Sequence, residues 1–340
     1  MTESSLSETL QPIDVVIAWV DGNDPVLASK RDHYLKTKKG DDNNSAVMAT
    51  HFASNDEIRY CVLSILRFAS FVRNIYIVTD GQDPNLQDDI KTHFPERINS
   101  VRIVDHKEIF EGYEEHLPTF NSISIGNMVW RIKGLSDRFV YFNDDVILIR
   151  EHKPEDWFLN GRPVLRGKWL LPPLKKIFRI RLKTFFNVKI GLNPAYQPRI
   201  SFYVLQWKVA RLLGRRFSYF YICHTPHPLS RVRLKSFFEE NREMMEKNIS
   251  HRFRTRDQLL ISSLAYNLEI LNGNRQTRKL NLTYIHPTYS IKRLYRKLRK
   301  CEKSHNIKSV CIQSLDMFSS EEEKNIFGCL GRIMGLPESF

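Results

Sequence analysis

The chain has no apolar stretch long enough to cross a bilayer. Its start, Met1 to Gln11, is polar, carries Glu3 and Glu8, and lacks the basic opening and apolar run of a secretory signal. Cysteine is sparse. Cys61, Cys223, Cys301, Cys311 and Cys329 are odd in number and widely spaced, with no Cys-x-x-Cys pair to suggest zinc or a redox couple. These absences fit a reduced cytoplasm, where the sequons at Asn43, Asn248 and Asn281 carry no weight as glycosylation sites. Internal repeats and low-complexity tracts are also missing. Acids are outnumbered, 38 Asp and Glu against 52 Lys and Arg, and the formal charge of +14 calls for an anionic partner. On charge alone nucleic acid, anionic lipid and phosphorylated sugar all qualify.

What is present is a foldable chain of 340 residues, 42% hydrophobic and 11% aromatic, enough for one large domain or a domain plus a subdomain. The most informative segment is Tyr141-Phe142-Asn143-Asp144-Asp145-Val146, an apolar strand running into an amide and two adjacent carboxylates. Acids so placed suit a divalent cation bound to phosphate. Two earlier strands repeat the pattern, Ile13–Val20 stopping at Asp21-Gly22 and Ile75–Thr79 at Asp80-Gly81, while Val101–Val104 stops at Asp105. Strands joined through helices lie parallel and present their carboxyl ends at one edge, where ligands bind. Turn-forming Asp-Gly pairs are the plainer explanation of any one acid taken alone.

Between these strands the pattern predicts helices. Ser54 or Asn55 caps one whose stripe is Ile58, Cys61, Val62, Ile65, Leu66 and Ala69. Another opens at Asn121-Ser122, carries Ile125, Met128, Val129 and Ile132 on one face, and stops at Gly134. The loop Leu117–Ser122 ahead of it either caps the helix or delivers backbone N–H groups to an anion. Lys30 to Asn44 is a charged helix and loop that would serve as a lid. The expected division is a polar tail at 1–12, an α/β core at 13–160, an inserted basic subdomain at 161–220, a second part of the core at 221–316 and a helical tail at 317–340. Within the insert, Leu174 to Lys183 interleaves apolar and basic residues as a surface-lying amphipathic helix or an alternating strand, and Ile291 to Lys300 looks similar.

Three later clusters complete the pattern: His224-Thr225-Pro226-His227-Pro228, His251 to Gln258, and Cys311-Ile312-Gln313-Ser314. With Trp19-Val20-Asp21-Gly22-Asn23-Asp24-Pro25, Asn55–Tyr60, Leu117–Ser122, Arg131–Leu135 and Asn143–Val146 in order, the chain resembles the Stealth family over most of residues 13 to 315. That family comprises bacterial capsular and exopolysaccharide phosphotransferases, with the lysosomal-enzyme N-acetylglucosamine-1-phosphotransferase as animal relative. The fourth family block usually reads close to Cys-Ile-Asn-Asp-Asp. Here it is Cys311-Ile312-Gln313-Ser314-Leu315-Asp316, a departure.

The resemblance implies transfer of a sugar-1-phosphate from a UDP-sugar to a hydroxyl of an acceptor polysaccharide, releasing UMP. It also implies a Rossmann-like, nucleotide-sugar-binding α/β core with a mostly parallel sheet, laid out as in metal-dependent glycosyltransferases. Asp144 and Asp145 would hold Mg²⁺ or Mn²⁺. Asn143 would assist the metal or bind the donor, joined by Asp21, Asp24, Asp80, Asn121 and Arg131. His224 or His227 would be the general base, one of the two being structural, and Arg254 would clamp the phosphate. Arg59 and Arg131 can equally be salt-bridged helix residues, and Asp257 either orients Arg254 or caps a helix from Gln258. Two other readings stand beside this one, a glycosyltransferase releasing UDP and a basic module binding a polyanion. Clustered acids argue against nucleic acid. The expected setting is the cytoplasm, with peripheral contact at the inner membrane face through residues 174–183.

Overall fold

The computed structural model describes residues 11–36, 56–193, 196, 198 and 201–337. Ser54, Asn55 and the later part of the expected lid lie outside them. Strands β1 (Ile13–Ala18), β2 (Val72–Thr79), β3 (Val101–Asp105) and β4 (Arg138–Asn143) pair in parallel in the order β4-β1-β2-β3. After a two-residue turn comes β5 (Val146–Leu148). Farther on, β6 (Lys168–Leu170) and β7 (Tyr219–Tyr221) form an antiparallel pair, and β8 (His227–Ser230) joins the central sheet antiparallel to β4. Finally β9 (Leu282–Ile285) and β10 (Ser309–Ile312) build a small sheet with β5.

β1, β4 and the second half of β2 read as apolar runs because both faces are covered, whereas the edge strand β3 leaves Arg102 and Ile103 exposed. Alternation along each strand sends side chains to opposite layers. Val15, Ile17, Ile75, Ile77, Val140 and Phe142 enter one core, while Val16, Tyr76, Val78, Phe139 and Tyr141 enter the other. Inside β1 stands Asp14, a wholly buried carboxylate. It accepts from Arg73 Nε at 2.9 Å and Nη2 at 2.6 Å, and from the backbone N–H of Asn74 and Ser136. Four donors compensate its lost hydration and tie the amino ends of β1 and β2 together.

Eight helices matter to the site and its surroundings: α1 (Pro25–Lys36), α2 (Glu57–Phe68), α3 (Ser122–Gly126), α4 (Leu174–Thr184), α5 (Phe202–Leu212), α6 (Ile261–Leu271), α7 (Ile291–Lys303) and α8 (Ser320–Met334). Helix α2 follows its expected stripe, but its N-cap position is Asp56, in a left-handed conformation and without a side-chain cap bond. The helix expected from 121 to 134 is shorter, five residues followed by a 3₁₀ turn at Val129–Arg131. Gly126 weakens it, and Asn127 turns its amide back onto the Ile123 carbonyl at 2.7 Å and across to Leu259 O at 2.8 Å. Its apolar residues stay buried all the same.

The segment Leu174–Thr184 is a helix, not a strand, and none of its residues is buried. By contrast α7 buries Leu294, Leu298 and Cys301 against the first core. Helix α8 opens with a Ser319–Glu322 capping box, closes at Gly335 with φ 70°, and packs Ile326, Cys329, Leu330 and Met334 into that core. All five cysteines are free and buried.

Candidate active site

At the carboxyl edge of the parallel strands lies a cavity of about 610 Å³. The register sets its floor: Ala18 of β1 pairs with Val78 of β2 and with Asn143 of β4, so Asp80 after β2 and Asp144 and Asp145 after β4 emerge at one cavity. Seven residues singled out from the sequence line it: Asp80, Asn143, Asp144, Asp145, His224, His227 and Arg254.

Asp144 and Asp145 occupy the turn between β4 and β5. Burial, then Asp145, then Glu57 at the start of α2 push the Asp144 carboxyl well above the usual carboxylate range. Burial also raises Asp145, opposed by His224 and by the Cys311 thiol, whose Sγ donates to Asp145 Oδ2 at 3.3 Å. Asp145 Oδ1 is buried and has no hydrogen-bond partner among the described residues. Adjacent carboxylates in a desolvated place ionise together only if a positive charge joins them. An orphaned buried carboxylate oxygen, with a second acid beside it in the same turn, is a donor set that fits a divalent cation. Ligand atoms of Asp145, His224 and Cys311 also lie within 4.8 Å of one another.

The two histidines differ. His227 begins β8, pairs with Tyr141 across the sheet and packs edge-on to Tyr266. Burial, and then His224, press its pKa down to about 3, so its ring is neutral. The His224 ring instead meets the Asn143 amide, Nδ1 to Nδ2 at 3.1 Å, and stands near Phe202, while its backbone N–H donates to Tyr284 Oη at 2.8 Å. Arg254 is held from below: Nη2 donates to Ser122 Oγ at 2.7 Å, and burial lowers its pKa.

Four nominated residues do not line the cavity. Asp21 accepts from Asn23 N at 2.9 Å, and Asp24 caps α1, with Oδ1 accepting from Val26 N at 2.7 Å and Oδ2 from Gln82 Nε2 at 2.9 Å. Asn121 is fully buried, caps α3 through Ile123 N, and donates to His251 O and Gln258 Oε1. The Leu117–Ser122 loop thus caps α3, is stapled by Arg252 through the carbonyls of Leu117 and Pro118, and brings Thr119, Phe120 and Ser122 to the cavity wall. Arg131 donates to the carbonyls of Ile109 and Glu111 and lies over the Tyr113 ring. Arg59 pairs bidentately with Asp89 at 2.6 Å. Asp257 neither orients Arg254 nor caps a helix from Gln258: it pairs with Lys208 at 2.7 Å, and α6 begins at Ile261. Gln258 is spent on Asn121, Ser124, Thr255 and Asn248.

Sequence reasoning missed Glu57 and His106, which also line the cavity. Glu57 was visible as the first helical residue after Asn55-Asp56, where a carboxylate points back toward the sheet edge. The divergent fourth block has a structural place too. Cys311 in β10 pairs with Val146 just beyond the acid turn, and Gln313, Ser314 and Asp316 line the cavity wall.

Comparison with known proteins matches residues 11–39 to Stealth protein CR1, conserved region 1, and residues 51–164 to Stealth protein CR2, conserved region 2. An exopolysaccharide phosphotransferase of Streptomyces coelicolor, SCO2594, is 31% identical over 278 residues, 80% of this chain and 41% of that protein. The capsular polysaccharide phosphotransferase cps12A of Actinobacillus pleuropneumoniae is 36% identical over 215 residues, 57% of this chain and 55% of that protein. The chain spans between 24% and 55% of the length of the curated relatives it matches. Among solved structures, the galactosyltransferase LgtC with donor and acceptor sugar analogs covers 96% of this chain and 98% of its own, at 12% identity and a TM-score of 0.41, too distant to bear on the reaction. The two matched regions, which hold the acid turn and the four parallel strands, are similar to the first and second conserved regions of the Stealth proteins.

Proposed function

We propose that the chain transfers a sugar-1-phosphate from a UDP-sugar to a hydroxyl of an acceptor polysaccharide, forming a phosphodiester and releasing UMP. The observation that carries this reading is the meeting of Asp144 and Asp145, Arg254 and His224 around one cavity at the parallel-sheet edge. The relatives' names, phosphotransferases of capsular and extracellular polysaccharide, support the same class.

Held by Asp144 and Asp145, Mg²⁺ or Mn²⁺ would neutralise oxygen charge on the donor phosphates. Arg254, fixed by Ser122, would grip the transferred phosphate with its planar fork. His224 would take the acceptor proton, because His227 is a neutral ring tied into the sheet with little basicity to offer. Asn143 would orient His224 or meet the donor, and Asp80, whose Oδ2 accepts from Lys30 Nζ at 3.1 Å, would serve the donor pocket. Asp21, Asp24, Asn121 and Arg131 would shape that pocket through the backbone they hold. The setting is the cytoplasm, with peripheral contact at the inner membrane face.

Asp145→Ala and Arg254→Ala should each leave a folded protein, by far-UV circular dichroism, whose turnover is at least about 10²-fold lower. Activity within a few-fold of wild type in either variant removes that residue from the mechanism. Metal binding has its own readout. Folded Asp144 and Asp145 titrate above the ordinary value of 3.8, so the unfolded chain ionises first and these groups weaken the metal-free fold as pH rises above that value. A cation bound to the folded state opposes this loss. The rise in Tm on adding Mg²⁺ should therefore be larger at about pH 7.5 than at about pH 5 and vanish in Asp144→Ala.

A further inference from the structure

Residues 161 to 220 contain fourteen Lys and Arg and no Asp or Glu. Within them α4 and the helical turn Phe185–Lys189 that continues it present apolar side chains outward: Leu174 is 64% exposed, Phe178 65%, Leu182 43% and Phe185 52%. At about 100° per residue these four fall within roughly 80° of one another and form a single stripe. Lys175 and Arg179 flank it on one side and Arg181 on the other. Leu171 just before the helix and Ile190 just after it extend the exposed apolar surface. The opposite side of α4 is the anchored one. Ile177 packs against the Trp207, Ala210 and Tyr219 cluster, and Lys176 Nζ lies 4.7 Å from the centre of the Tyr203 ring.

We propose that α4 and its flanks, residues 171–190, dock on an anionic lipid bilayer, with Phe178, Leu182 and Phe185 in the acyl boundary and the basic residues among the headgroups. Two comparisons select this occupant. A soluble polyanion would be served by the charge alone and leaves the apolar stripe in water. A second copy meeting the same face would set one acid-free basic segment against another and suffer their repulsion. An anionic bilayer satisfies both features at once. The placement also suits the cavity, since Phe202 and Leu205 of α5, the helix against which α4 is anchored, line its wall. An acceptor growing at the bilayer surface would then meet the site without leaving it.

The inference rests on the proposed setting at a membrane, and its test uses no donor, acceptor or metal, so it stands or falls apart from turnover. The whole chain is floated with vesicles of phosphatidylcholine alone and of phosphatidylcholine with phosphatidylglycerol. Partitioning should be at least about tenfold stronger to the anionic vesicles and should weaken as salt rises. The double substitution Phe178→Glu with Leu182→Glu should reduce it by about tenfold or more while circular dichroism and Tm stay unchanged. Equal partitioning to both vesicle types overturns the proposal, as does equal binding by the double variant. A wild-type dimer in sedimentation that the substitutions dissolve, without vesicle binding, assigns the stripe to a second copy instead.

Discussion

Two helices of this chain, α4 and α7, are built from nearly the same materials and meet opposite fates. Each alternates leucine or phenylalanine with lysine and arginine at helical spacing. In α7 the stripe of Leu294, Leu298 and Cys301 is buried in the first core, and the basic residues face solvent except half-buried Lys297, which donates to Thr283 Oγ1 at 3.1 Å. In α4 the corresponding stripe faces outward and no residue is buried. Periodicity makes a helix amphipathic, but whether its apolar face belongs to the core or to a partner depends on what the rest of the chain brings against it.

One charge placed in each stripe should separate the two helices most widely. Leu298→Asp buries an unpaired carboxylate in the core and should cost about 4 kcal/mol or more in urea unfolding, whereas Phe178→Asp should change stability by less than about 0.5 kcal/mol. Equal losses would mean that the α4 stripe is packed after all. A milder test truncates each stripe, with Leu294→Ala expected to cost about 2–5 kcal/mol and Leu174→Ala almost nothing. The smallest effect concerns the surface of α7. Arg332 of α8 reaches Glu302 of α7 at 2.7 Å, and Arg332→Ala should cost no more than about 1 kcal/mol, which shows that burial and not this exposed ion pair holds the helix.

The same contrast explains how much could be read in advance. The parallel sheet was legible because buried strands leave unbroken apolar runs, and their terminal acids mark a shared edge. Asp144, Asp145, Asp80 and Asn143 follow such strands, so their convergence needed only the topology. Asn121 and Arg131 were harder, because whether a polar side chain faces the cavity or caps a helix is decided by loop geometry that spacing does not encode. Cys311 needed more still: it reaches Asp145 only because β10 pairs with β5 from 163 residues farther along the chain. The five-residue length of α3 was hidden because its apolar stripe continues past the break at Asn127, held there by tertiary hydrogen bonds.

In the proposed reaction phosphorus, not the anomeric carbon, is attacked at the cavity of Asp144, Asp145, His224 and Arg254. The most direct test incubates the purified chain with Mg²⁺, a panel of UDP-sugars and capsule oligosaccharides, and separates the nucleotide product by chromatography. UMP formed in step with phosphodiester-linked product is the predicted result. UDP in its place would contradict it and mark the chain as a glycosyltransferase.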